Sequence, residues 1–155
     1  MTAARSGGQG AGAERTRIRG AATGLLLGLI AQFLLGMGVN LFVTLPGSHP
    51  GTNAGGYFSG VVAGVSWAIP HGPFLVRVHA ALGLLLLLAA LGLLARAIQA
   101  RRGSLIALAA VGAFGLLGSG FNGASFLNYG HDFSSMLMSA GFAIATGCYV
   151  LVLVV

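Results

Sequence analysis

The side chains best suited to chemistry in this 155-residue chain are its four histidines, since imidazole binds metals and moves protons near neutral pH. They are His49, His71, His79 and His131. His131 precedes Asp132, one of only two acidic residues, within the polar run FNGASFLNYGHDFSSMLM (121–138). So many polar groups in an otherwise apolar chain indicate that they pack together or bind a ligand.

Two of these histidines suggest a b-type haem. A membrane bundle can hold haem between two neutral imidazoles from different helices. His79 lies within one apolar run and His131 at the start of another, so we expect these two to be the haem-binding pair. Met136 or Met138 is the alternative to His131 as the second axial ligand. The chain would then be a haem-b membrane electron carrier.

A structural interpretation accounts for the same region. Asp132 suits the N-cap of a helix, where its carboxylate would accept backbone N–H groups. Arg77 can pair with Asp132 or extend to the lipid headgroups. A separation of two residues is about 200° around a helix, so Arg77 and His79 point to nearly opposite faces. We therefore also predict a structural polar cluster at this membrane face, formed by Arg77, Asp132, Asn122, Asn128 and Asn40.

Other chemistries find less support in the residue spacing. A metal site built from imidazoles and Asp132 lacks an H-E-x-x-H motif or paired cysteines. Ser134 lies beside His131 and Asp132 but not in a nucleophile-elbow motif. No acidic residue lies inside an apolar run, where it would couple protons to transport. The sequence favours a non-catalytic protein over an enzyme, with no catalytic residue and no metal ligand.

The composition identifies the solvent as a lipid bilayer. Only 6% of residues are charged and 56% are hydrophobic, with a mean hydropathy of +0.92, whereas soluble domains are about one-quarter charged. The net charge is +6, but the arginines flank apolar runs, which predicts contact with lipid headgroups and no binding of nucleic acid. A single cysteine, Cys148, excludes an intramolecular disulfide.

Four apolar runs approach or exceed the roughly 20 residues that a membrane-spanning helix needs, at about 20–45, 74–95, 104–121 and 133–155. Residues 1–17 lack apolar periodicity and predict a disordered cytoplasmic tail ahead of a membrane domain at 18–155. Arginines cluster near the N-terminus and at 96–102, so both termini are expected in the cytoplasm. The predicted fold is all-α, an antiparallel four-transmembrane-helix bundle.

The first outer loop, residues 46–73, is expected to contain a short interfacial segment. Apolar residues at helical spacing between Phe58 and Ile69 predict a helix anchored by Tyr57 and Trp67, and an irregular lid on the bundle is the alternative.

Stripes of small and polar residues predict how the spans pack. On the first span such residues recur at every fourth position: Gly24, Gly28, Gln32, Gly36 and Asn40. On the last two spans we expect facing stripes. One contains Gly112, Gly115, Ser119 and Asn122, and the other contains Ser135, Ser139 and Thr146 with Gly141 nearby.

The runs HGPFLVRVHAALG (71–83) and FNGASFLNYGHDFSSMLM (121–138) resemble those of small, uncharacterised four-span integral membrane proteins of bacteria. The placing of histidines on separate helices is also similar, in a generic way, to four-helix b-type cytochromes. The first resemblance implies a multi-pass protein of the bacterial cytoplasmic membrane and brings no activity with it. We expect a non-catalytic accessory or binding module with an extracytoplasmic polar site, in a larger membrane complex or a homo-oligomer.

Overall fold

The computed structural model describes the backbone of residues 4–155 and the side chains from Gly12 onward. Within this part the chain forms five helices and no strand: α1 (Ala4–Phe42), α2 (Tyr57–His71), α3 (Phe74–Gln99), α4 (Gly103–Tyr129) and α5 (Asp132–Val154). All except α2 are long and apolar enough to cross a membrane. The predicted all-α, four-span architecture of a multi-pass membrane protein is confirmed.

The four long helices form a ring in the order α1, α3, α4, α5, and α5 packs back on α1. Across the ring, α1 does not contact α4 and α3 does not contact α5 in the described part of the chain. Since successive spans reverse direction, every pair of neighbours is antiparallel. Helix α2 packs on α3 and α4. We call this end of the bundle, with residues 43–73 and the turn at Gly130, the capped end. The opposite end, the basic end, carries Arg15, Arg17, Arg19, Arg96, Arg101 and Arg102.

Two helices differ in length from the predicted spans. Helix α4 continues to Tyr129, eight residues beyond the predicted end at 121, so only Gly130 and His131 separate it from α5. Gly130 ends α4 with a φ of 66°, a left-handed conformation that glycine adopts without steric cost. The backbone of α1 is already helical at Ala4 and continues across residue 17. The division of the chain into a tail and a membrane domain stays a prediction.

The α4–α5 interface is the closest in the bundle because glycines bring the two backbones together. A Cβ placed on Gly115 would lie 2.7 Å from the carbonyl oxygen of Gly141. Ser119 Oγ donates to Met138 O at 2.8 Å. The ring of Tyr149, fully buried, lies against Gly112. Gly112, Gly115 and Ser119 of the predicted stripe on α4 therefore contact α5, whereas the amide of Asn122 bonds its own helix.

Ser139 and Thr146 of the predicted stripe on α5 do not bond α4, whereas Gly141, predicted to lie near them, packs against it. The buried residues of α5 are Ser134, Gly141, Ala145, Tyr149 and Val152. Ser139 is exposed and donates to Ser135 O, and Thr146 donates to Phe142 O. Hydroxyl groups that bond the preceding turn of their own helix need no partner across an interface, so their position does not identify the packed face.

The stripe on α1 packs on α3 over part of its length. Gly28 faces Leu86, and Gln32 and Gly36 both face His79. Gly24 has open space beside it and Asn40 is exposed. The close approach is therefore confined to the middle of α1.

Candidate functional site

Helix α2 covers the capped end with its glycine face. Its buried residues are Gly60, Val61, Gly64 and Ala68, whereas Phe58 and Val62 are 73% and 65% exposed. The segment between α1 and α3 thus holds a regular helix that is also packed on the bundle. Small residues face the bundle because the side chains of α4 below them occupy the space.

Asn128 is the side chain that these glycines enclose. It lies in the last turn of α4, is 8% exposed, and its amide fits between Gly51, Gly60 and Gly64. A Cβ on Gly51 or on Gly64 would overlap the amide oxygen. Neither the oxygen nor the nitrogen of this amide has a hydrogen-bond partner among the described residues. Burying such a group without a hydrogen-bond partner costs about 1–3 kcal/mol of stability. We therefore expect the amide of Asn128 to have a role that offsets this cost.

His49 attaches the loop to the end of α4. It is 4% exposed, and its Nε2 donates to Leu127 O at 3.3 Å while its Nδ1 accepts from the N–H of Gly51 at 3.3 Å. Because a carbonyl only accepts and a backbone N–H only donates, the ring is neutral with its proton on Nε2. The ring also stacks on Trp67, with centroids 4.7 Å apart and planes 14° from parallel. His49 therefore joins the loop, α2 and α4.

Aromatic side chains border this covered region. Tyr57 stacks on Tyr129 at a centroid distance of 5.8 Å and contacts Phe121 at 5.5 Å. Phe58 also contacts Phe121, and Tyr129 stacks on His131 at 6.3 Å. We call these five residues the aromatic rim. All but Phe121 are exposed, so the rim offers an aromatic surface beside the buried Asn128.

His79 lies deeper, between α3 and α1. The amide nitrogen of Gln32 donates both to His79 Nε2 at 3.1 Å and to the backbone oxygen of His79 at 3.1 Å. Nε2 thus accepts, which puts the ring proton of the neutral form on Nδ1. His79 Nδ1 and Gln32 Oε1 are both buried without a partner among the described residues.

The structure does not bring His79 and His131 together. They belong to elements on opposite sides of the ring, and His79 faces α1. His131 is exposed at the N-cap position of α5. Of the two alternative ligands, Met136 is 57% exposed and Met138 packs against Gly123 of α4. Haem binding stays a prediction that this arrangement does not favour.

The residues of the predicted polar cluster do not bond one another. Arg77 donates to Ile69 O at 3.2 Å, and Asn122 donates to Gly118 O in its own helix. Asp132 is exposed in the first turn of α5, so it does not occupy the predicted N-cap position. Between Gly12 and Val155 no hydrogen bond or ion pair joins any two of Arg77, Asp132, Asn122, Asn128 and Asn40.

Sequence reasoning named His49 among the histidines but gave it no role, and it assigned Trp67 only to membrane anchoring. Both contribute to the buried contact described above. One sequence feature could have indicated this contact. Gly60 and Gly64 have the G-x-x-x-G spacing, which in a helix predicts close contact with another helix. The backbone N–H and C=O groups of a loop covered by such a helix need hydrogen-bond partners within the protein. The side chain of His49 provides one for the N–H of Gly51.

The described residues contain no group of three or more histidine, cysteine, aspartate or glutamate side chains able to hold a metal ion. Comparison of the chain with protein-family models, with curated proteins and with solved structures gives no match.

Proposed function

We propose that this protein is a non-catalytic binding module or accessory subunit of the bacterial cytoplasmic membrane, which contacts a partner protein through its capped end. Its termini lie in the cytoplasm and the capped end faces outward. The arginines of the basic end support this orientation, since positive residues are retained on the cytoplasmic side.

The observation that carries the proposal is the unpaired amide of Asn128. Other polar side chains near it bond within the fold: His49 to Leu127 and Gly51, and Ser125 to Ser134 at 3.2 Å. Asn128 is therefore the buried group at this end with unused capacity to bind. A carboxamide offers a donor and an acceptor side by side, which matches the C=O and N–H of a peptide backbone.

The surroundings of Asn128 would allow a peptide segment of a partner protein to reach its amide. Helix α2 buries mostly glycine and alanine, so little apolar contact is lost if it shifts. The aromatic rim lies beside it, and aromatic residues are enriched in protein interfaces. The partner we infer is an exposed peptide segment of another membrane protein.

Photo-cross-linking tests the proposal directly. A photoreactive amino acid at Phe58 is expected to give one discrete protein adduct in cells, and Asn128→Ala is expected to reduce its yield several-fold. The control probe is at Phe114, which is 76% exposed in the apolar part of α4 and should react with lipid. The control substitution is Asn122→Ala, whose amide bonds its own helix. If Phe58 reacts only with lipid, the rim is a headgroup anchor and the proposal is wrong.

The proposal also predicts that the purified protein carries no haem. Oxidised and dithionite-reduced visible spectra of protein expressed with ample haem should show no Soret band. The physical reason is that Nε2 of His79 accepts from Gln32 while His131 is exposed. A Soret band in the native chain that disappears in His79→Ala would contradict the proposal and favour an electron carrier.

A further inference from the structure

A second polar recess lies at the basic end, away from the proposed partner site. It is a half-open cavity of about 140 Å³ between α1, the start of α4 and the end of α5. Three arginines line it: Arg15 and Arg19 from α1, and Arg102 from the turn before α4. The remaining lining residues are Glu14, Ile18, Ala100, Leu105, Val152 and Val155. The cavity therefore combines cationic groups with an apolar floor.

The guanidinium groups are little used within the fold. Arg15 donates to Val155 O at 3.4 Å, and the side chains of Arg19 and Arg102 bond no described residue. The carboxylate of Glu14 lies 4.0 Å from Arg17, which is outside the cavity. Arg15 is thus engaged by the last residue of the sequence, whereas Arg19 and Arg102 contribute positive charge with no partner among the described residues. This unpaired positive charge favours the binding of an anion.

The N-terminus of α4 adds to this charge. Arg102 occupies its N-cap position without a side-chain cap, and the first intrahelical bond of α4 runs from Ile106 N to Arg102 O. The first N–H groups of a helix have no partner inside the helix and carry the positive end of its dipole. Leu105 belongs to this first turn and lines the cavity. Such an N-terminus favours phosphate.

We propose that this cavity binds a phosphate group, with the headgroup of an anionic phospholipid as its source. The arginines lie near the ends of helices that are long and apolar enough to span a membrane, where the phosphates of a bilayer are expected. The apolar floor, whose most exposed residue is Val155 at 42%, suits the apolar part of the same lipid molecule. Arginine holds phosphate through paired N–H donors, which lysine cannot match. A soluble phosphate compound would use the same guanidinium groups but not the floor.

The test is native mass spectrometry of the full chain in a neutral detergent, titrated with phosphatidylglycerol, phosphatidylcholine or inorganic phosphate. We expect one saturable phosphatidylglycerol adduct that survives activation, and no such adduct with phosphatidylcholine. Retention of phosphatidylglycerol in the presence of millimolar inorganic phosphate would identify the lipid headgroup as the source. Displacement by inorganic phosphate would identify a soluble phosphate compound instead.

Matched arginine variants separate this cavity from general surface charge. Arg19→Gln and Arg102→Gln are each expected to weaken phosphatidylglycerol binding about fivefold, from the contribution of one arginine near a membrane surface. Arg96→Gln removes the same charge at the same end, outside the cavity, and should leave binding unchanged. Equal weakening in all three variants, or equal binding of the two lipids by the native chain, would overturn the proposal.

Discussion

At the scale of single residues, two histidines show how buried polar groups are used in this bundle. His49 has a partner for each ring nitrogen, one donor and one acceptor, and stacks on Trp67. His79 has a partner for Nε2 alone, and its Nδ1 is unpaired. The first arrangement fastens a loop to a helix end. The second joins two spans through a single amide.

The role of His49 predicts that its loss loosens the cap. In His49→Ala the carbonyl of Leu127 loses its donor and Trp67 loses its stacking partner, at a cost of about 2 kcal/mol. Trp67 is the only tryptophan of the chain, so its fluorescence reports on this contact. We expect a red-shifted emission maximum and faster proteolysis within residues 46–56. The control is His71→Ala, at an exposed position at the end of α2, which should change neither the emission maximum nor the rate of proteolysis. An unchanged emission spectrum in His49→Ala would contradict the proposed role of His49.

The Gln32–His79 pair predicts coupling between two spans. Gln32→Leu leaves His79 Nε2 unpaired in an apolar region, and a hydrogen bond between membrane helices contributes about 0.6 kcal/mol and up to about 1.7. We expect Gln32→Leu with His79→Leu to be less destabilised than the sum of the single variants. Unfolding in detergent measures each free energy. Gln99→Leu, at an exposed position near the end of α3, is the control, and strict additivity would show that the pair does not interact.

At the scale of elements, α2 depends on glycine where it crosses α4. Gly60 and Gly64 let its backbone reach Asn128, and α4 meets it because the helix continues past the predicted membrane boundary to Tyr129. The short connection through Gly130 then returns the chain directly into α5. The segment between α1 and α3 thus packs on the part of α4 that extends beyond its predicted end.

This contact predicts a rescue. Gly64→Ala introduces a Cβ that overlaps the amide of Asn128, and such overpacking costs about 1–3 kcal/mol. Removing the amide in the double variant Gly64→Ala with Asn128→Ala should restore much of the lost stability, measured by thermal unfolding. Gly118→Ala, with open space around it in α4, should be neutral or slightly stabilising. If the double variant is no more stable than Gly64→Ala, steric overlap with the amide of Asn128 is not the cause of the destabilisation.

At the scale of the whole molecule, the two ends of the bundle differ in chemistry. The capped end offers aromatic surface above a buried amide, and the basic end offers arginines around an open cavity. The asymmetry follows from the arrangement of four antiparallel spans. An even number of crossings collects the arginines of the first helix and of the α3–α4 turn on the same side.

Cysteine labelling tests the orientation. In a Cys148→Ala background, Asn53→Cys at the capped end should react with a membrane-impermeant maleimide in intact cells. Gln99→Cys at the basic end should react only after the membrane is permeabilised. Both positions are exposed and lie outside the apolar centre of the bundle. The reverse pattern would place the arginines outside and contradict the proposed topology.

The amino-acid sequence determined the membrane environment, the number of spans and the gathering of arginines at one end, because these depend on hydropathy and charge summed along each segment. Only the tertiary structure decided which polar residues meet. Asn128 and His49 are buried beneath α2, whereas His131 and Asp132 from the same polar region are exposed. The physical reason is that burial depends on helix rotation, on the glycine contacts of α2 and on the extension of α4. Each of these is set by packing between segments distant in the chain.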